Sequence, residues 1–410
     1  MKQFEVPTYF KSGLISSIKT IRKQRDARKK DYTPSVLDFG PVQVLFARHF
    51  GFCYGVENAI EIAHRSLEEN QGKRIFLLSQ MIHNQIVNED LQNRGMKFIM
   101  DTDGRQLIPW DDITSEDVVI IPAFGTTVEI ETLLKNKGVN IETYNTTCPF
   151  VEKVWKRSEK LGEEQYTIVI HGKPSHEETR ATFSHSRQFA PCIVVRDMAE
   201  TNELIAFIRG DKTAEWFQKT FAGRVSEGFD PAVHLQRIGV VNQTTMLASD
   251  TQEIADTLRQ TLLEKFGVEN LKNHFADTRD TLCYATNDNQ QATFGMLEEK
   301  ADLAIVVGGY NSSNTSHLVD LCAEKMPTYF INSDTEIKSD IEIGHFDYHQ
   351  KSHKLTRSYL PGKRPLRIII TSGASCPDSL VERVTSRLLG FFDDLRPWDE
   401  VFKEFEKNQN

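Results

Sequence analysis

The chain has 410 residues, 39% of them hydrophobic and 26% charged, with only 23 glycines and 14 prolines, a globular balance that excludes collagen-like and wholly disordered proteins. This length predicts two to four domains of roughly 100–200 residues each. No apolar run of about 18 residues is present, which excludes a membrane-spanning helix, and a net charge of −9 argues against bulk nucleic-acid binding. The opening MKQFEVPTYF lacks the apolar stretch of a secretory signal. An anionic ligand must therefore be held by local groups rather than by an overall positive field.

Residues 1–42 differ from the rest. Between residues 11 and 30 the chain carries eight Lys or Arg against one acid, Asp26, which predicts a solvated, partly helical basic extension or, alternatively, a docking surface for an acidic partner. From residue 43 short apolar strands end in polar or Gly-rich loops that lead into amphipathic helices. Six such junctions are legible: RIFLLSQMIHN (74–84), VVIIPAFGTT (118–127), TIVIHGKPSHEET (167–179), RIGVVNQTTM (237–246), LAIVVGGYNSSNTSHL (303–318) and RIIITSGASCPDSL (367–380). Alternating buried strands and helices predict an α/β fold with parallel sheets, in which ligands collect beyond the carboxyl ends of the strands.

Three cysteines recur in similar settings just before a helix-like stretch: Gly51-Phe52-Cys53-Tyr54-Gly55-Val56, Thr146-Thr147-Cys148-Pro149-Phe150-Val151 and Thr281-Leu282-Cys283-Tyr284-Ala285-Thr286. Two strand–loop–helix junctions follow each. The chain therefore reads as three similar α/β domains, 43–146 with Cys53, 147–280 with Cys148 and 281–390 with Cys283, between the basic extension 1–42 and a tail, 391–410. A helix N-terminus favours the thiolate, the metal-ligating form. Three such thiolates suit a 4Fe–4S cluster with one iron open to substrate better than a structural zinc, which takes four protein ligands. Cys192 in a strand and Cys322 at i+4 from Leu318 read as core, and Cys376 reads as non-ligating. Six cysteines without a CxxC motif predict no disulfide scaffold and a reducing, cytoplasmic setting.

The loops supply donors. Asn311-Ser312-Ser313-Asn314 opens a helix after Gly308-Gly309, a setting that suits a phosphate but also an ordinary N-cap. Ser372-Gly373-Ala374-Ser375 and Gln243-Thr244-Thr245 have the same character. His83 and His176 sit at two further junctions, as caps or as ligands, and the adjacent Glu177 and Glu178 are an exposed charge run or a proton source.

Taken in order, these motifs resemble the 4-hydroxy-3-methylbut-2-enyl diphosphate reductase family, in the longer form of cyanobacteria and plastids, over about residues 45–385. The resemblance implies three α/β domains in pseudo-threefold arrangement around a central 4Fe–4S cluster, one per chain, ligated by Cys53, Cys148 and Cys283. It implies substrate binding by His83, His176, Thr244, Ser312, Ser313, Asn314 and Ser375, with Glu178 as the acid that supplies a proton. The implied reaction is reduction of the allylic diphosphate to isopentenyl and dimethylallyl diphosphates, the last step of the methylerythritol phosphate route. The implied electron donor is a ferredoxin or flavodoxin, with no nucleic-acid or membrane partner. Two positions depart from the pattern: Phe124 stands where the short form has a histidine, and Asn289 where an arginine is usual. A quinolinate-synthase-type 4Fe–4S dehydratase and a non-enzymatic iron–sulfur sensor are the competing readings.

Overall fold

In this computed structural model residues 4–28, 30–276, 281 and 283–408 are described; residue 280, where a domain boundary is expected, and Leu282 of the third cysteine motif lie outside them. The chain divides into two compact units. One comprises Met1–Glu57, His83–Glu89 and Tyr284–Asn410, the other Asn58–Ile82 and Asp90–Cys283.

In the first unit, β-branched runs such as Ile368-Ile369-Ile370 and Ile305-Val306-Val307 form strands buried on both faces, as parallel strands between helices require. The sheet order is Ser35–Asp38, Val42–Phe46, Leu366–Ser372, Leu303–Val307, Thr328–Ile331; the first pair is antiparallel and the others are parallel. Val42–Phe46 opens the segment expected to form the first domain, yet it pairs with Leu366–Ser372. Local pattern identifies a strand but carries no information about a neighbour more than 300 positions away. A hairpin, Glu342–Asp347 with Ser352–Arg357, completes the unit's β structure among the described residues.

The basic extension is not a solvated arm. Ser12 caps the helix Gly13–Arg25 by accepting from Ile15 N, and Ile15 and Ile18 are fully buried in the same apolar core as the five-stranded sheet. Leu14, Ile15, Ile18 and Ile21 stand at i, i+1, i+4 and i+7 and share one face, so the helix buries an apolar stripe while its lysines stay outward. The charge count concealed that stripe. Lys19 Nζ bonds Asp378 at 2.7 Å, and the buried Arg22 and Arg48 tie the helix end to the loop before Cys53, Arg48 donating to the carbonyls of Arg22 and Asp26.

The second unit holds two parallel sheets, Lys97–Phe98, Ile75–Leu77, Val118–Ile120 and Cys192–Val195, Thr167–His171, Ile238–Asn242, Phe275–Ala276, each over its own apolar core. All six strand–loop–helix junctions expected from the sequence form. Among the described residues no helix is long and apolar enough to cross a membrane.

Candidate active site

The loops that end three strands of the first unit are knitted together. Ser312 caps the helix Ser313–Ala323, its Oγ accepting from Thr315 N at 3.3 Å and from Thr315 Oγ1 at 2.9 Å. Asn314 Oδ1 accepts from Ala374 N at 3.0 Å, Ser375 Oγ donates to the carbonyl of His83 at 3.1 Å, and Cys53 N donates to the carbonyl of Ala374 at 3.2 Å. Gly51 N donates to Ser372 Oγ at 3.1 Å. His83, Ser312, Ser313, Asn314 and Ser375 are all buried. Gly309 and Gly373 permit this contact, because a Cβ would strike the His83 carbonyl at the first and Thr315 Oγ1 at the second. Asn314 Nδ2 is buried and has no hydrogen-bond partner among the described residues. An orphaned donor of this kind costs about 1–3 kcal/mol unless a ligand satisfies it.

The second unit carries the acid. His176 caps the helix Glu177–Ser186, its Nδ1 accepting from Glu178 N at 3.1 Å. Glu178 is fully buried; Thr244 N donates to its Oε1, while Oε2 has no hydrogen-bond partner among the described residues. Burial pushes the carboxyl up to about 7, against the lowering pull of the Thr244 hydrogen bonds, so near neutral pH a large share of it carries a proton. Gln243 anchors the neighbourhood by accepting from Thr179 Oγ1 at 3.0 Å and Lys173 N at 3.1 Å.

Phe124 stands edge-on to His176, ring centroids 5.5 Å apart, so the position lacking a histidine packs the imidazole of another site candidate. Gly125 follows with φ +74°, a conformation that favours glycine, and a Cβ there would meet the Trp155 ring and Thr147. Trp155 is itself stacked on His185 at 3.7 Å. Cys148 N donates to the carbonyl of Ala123 at 3.0 Å, tying the cysteine to this turn. Sequence reasoning missed Thr315 as a support and gave Gln243 only as part of a polar junction; the Gly308-Gly309 and Gly172 neighbourhoods, where only a small residue leaves room for a buried hydroxyl or amide, were the available signal. Asn289 is buried beside Asn314, Nδ2 3.5 Å from Oδ1.

The six cysteines fall into two classes. Cys192, Cys322 and Cys376 are fully buried in the cores, where desolvation drives the first thiol upward and the other two up to about 12, which suits inert packing. Cys53, Cys148 and Cys283 each directly precede a helix, at Tyr54, Pro149 and Tyr284, and among the described residues no disulfide joins any of the six. Three reduced thiols at helix starts have the donor chemistry of an iron–sulfur site. Among the described residues no three His, Cys, Asp or Glu side chains are grouped as a metal site.

A family model described as LytB protein matches residues 44–389. The chain belongs to the LytB family. Members of this family are iron–sulfur enzymes. A relative from Synechococcus sp. (strain CC9605), 4-hydroxy-3-methylbut-2-enyl diphosphate reductase, is 38% identical over 93% of this chain and 90% of its own length. The solved structure of (E)-4-hydroxy-3-methyl-but-2-enyl diphosphate reductase, the terminal enzyme of the non-mevalonate pathway, is 26% identical, with a TM-score of 0.51 over 85% of this chain and 99% of its own. The structure of E-1-hydroxy-2-methyl-but-2-enyl-4-diphosphate reductase from Plasmodium falciparum, 20% identical, shares the fold with a TM-score of 0.60 over 90% of this chain and 99% of its own.

Proposed function

We propose that this LytB-family chain reduces (E)-4-hydroxy-3-methylbut-2-enyl diphosphate to isopentenyl and dimethylallyl diphosphates, the last step of the methylerythritol phosphate route to isoprenoids. The reaction consumes two electrons and two protons, breaks the allylic C–O bond and releases water. The observation that carries the mechanism is Glu178, a buried acid that keeps its proton in large part near neutral pH, with one carboxyl oxygen held and the other without a partner among the described residues. Family membership favours this reductase over the dehydratase and sensor readings.

Cys53, Cys148 and Cys283 are the residues that would hold a 4Fe–4S cluster, one per chain. Such a cluster supplies, when bound, a Lewis-acidic iron for the substrate hydroxyl and the route for the electrons. The protein groups do the rest. Ser312, Ser313, Asn314 and Ser375, with His83, offer hydroxyl, amide and helix N–H donors to the diphosphate without adding net charge, and the orphaned Asn314 Nδ2 is the donor most in need of an acceptor. Glu178, oriented by Thr244 N on one oxygen, delivers a proton so that the hydroxyl leaves as water. His176, its Nδ1 engaged by Glu178 N, presents Nε2 for the substrate. Burial of these groups excludes bulk water from a reduced allylic species that must be protonated at one of two carbons.

The segments 43–146, 147–280 and 281–390 are proposed as three functional repeats, each bringing one thiol; the parallel strands Ile75–Leu77, Thr167–His171 and Leu303–Val307 lie in three different sheets, one per segment, while Val42–Phe46 of the first pairs into the sheet of the third. Six cysteines without a disulfide among the described residues support a cytoplasmic location, and a ferredoxin or flavodoxin is the proposed donor. The test is an anaerobic assay of the iron-loaded protein with the diphosphate substrate and a reduced viologen dye. Substrate-dependent dye oxidation with both C5 diphosphates formed is expected. An intact cluster without oxidation would overturn the assignment.

A further inference from the structure

A cavity of about 260 Å³ in the first unit opens beside Cys53. Its wall combines the N-terminal helix through Lys19 and Lys23, the loop Arg48 to Tyr54, and the start of the helix Tyr284–Leu297. Arg48 is buried, lines this cavity, and its Nε has no hydrogen-bond partner among the described residues. Glu57 and Asp288 also line it, and Lys19 is engaged by Asp378, so the cavity interior is nearly balanced in charge. The positive excess lies along the N-terminal segment that supplies this rim of the cavity through Lys19 and Lys23. Lys11, Lys23, Arg28 and Lys30 are exposed, and among the described residues no carboxylate forms an ion pair with them, whereas Asp26 and Asp31 are taken by Arg48 and Arg22.

We propose that this rim is the docking surface for an acidic protein that carries single electrons, seated so that its redox centre faces the cavity beside Cys53. The inference rests on the reductase reading, which requires two electrons from outside the substrate. Each of two encounters transfers one electron, oxidising one reduced carrier, and the pair of electrons enters the C–O cleavage described above. The width of the basic surface argues for a protein. The helix Gly13–Arg25 alone is about 20 Å long at 1.5 Å per residue, too broad for the phosphates of a single nucleotide. Its burial through Ile15 and Ile18, and the hold of Arg48 on its carboxyl end, fix these charges relative to the loop that carries Cys53. A fixed array of like charges steers an oppositely charged partner and sets its orientation, an effect that salt screens.

The test compares the iron-loaded full chain with the triple variant Lys11→Glu, Lys23→Glu, Arg28→Glu, using a purified acidic [2Fe–2S] ferredoxin as probe. A control variant reverses Lys300 and Lys325, exposed residues of the same unit that do not line the cavity. Calorimetric titration at low ionic strength should show Kd about tenfold or more weaker in the triple variant, a shallower salt dependence, and little change in the control. Ferredoxin-driven turnover should fall in the triple variant while viologen-driven turnover holds. Equal Kd and salt slope in parent and triple variant would overturn the proposal, as would an equal loss of dye-driven turnover. Absence of dye-driven turnover in the parent would instead remove the reductase reading, and the titration would still decide the docking surface.

Discussion

Glu178 shows how one side chain acquires a role from its surroundings. Its ordinary carboxyl value is 4.5, and full burial raises it to about 7. Between those values the unfolded chain releases the proton while the folded chain keeps it. Stability from this group is thus complete below about pH 4.5, falls as pH rises to about 7 and is level above, a loss of about 3 kcal/mol. Glu178→Gln, which cannot ionise, should therefore show a melting temperature that changes less between pH 5 and pH 8 than the parent's, read by thermal denaturation at both pH values. The same substitution should slow dye-driven turnover about 10²-fold or more with substrate KM little moved, the scale of a lost general acid. In the parent, kcat should decline above about pH 7 as the acid is lost; a flat profile would remove Glu178 from the proton step. The Glu178 motif was legible in the chain, but two adjacent glutamates look like an exposed charge run until burial separates them from solvent. Phe124 illustrates the converse: its identity was plain, its contact with the His176 ring was not.

At the scale of elements, the N-terminal helix is the informative case. Its lysines and arginines dominate composition, and its four aliphatic side chains decide where it goes. Ile18, 1% exposed, packs within the core shared with the five-stranded sheet. Ile18→Ala should cost about 2–5 kcal/mol, measured by denaturant unfolding, since the cavity left in a packed core adds to the lost transfer energy. Reversal of the outward Lys11 or Lys23 should leave the unfolding midpoint nearly unchanged. A midpoint insensitive to Ile18→Ala would return the helix to the status of a solvated arm. The strands and their following loops were legible because β-branched runs closed by Gly, Ser and Asn leave few local alternatives. Their caps were legible too: Ser312 and His176 each stand one residue before the helix they cap.

For the whole molecule, the three thiols proposed as cluster ligands come from positions 53, 148 and 283, so far apart in the chain that no single loop supplies the set. Cys53→Ser, Cys148→Ser and Cys283→Ser should each lose most of the bound iron after anaerobic reconstitution, whereas Cys322→Ser and Cys192→Ser should keep it, read by metal analysis and the visible absorbance of the cluster. Iron retained in full by Cys148→Ser would end the assignment. The sequence alone determined the α/β class, the strand–loop–helix junctions and the division of cysteines into helix-start and core types, because each is a local matter of side-chain period, β-branching and turn chemistry. Only the tertiary structure decided that Val42–Phe46 lies beside Leu366–Ser372, that a basic helix is half core, and that Glu178 is desolvated with one oxygen unpartnered. Those depend on which apolar faces meet and which polar groups they seal from water, and sealing is a property of the assembled chain.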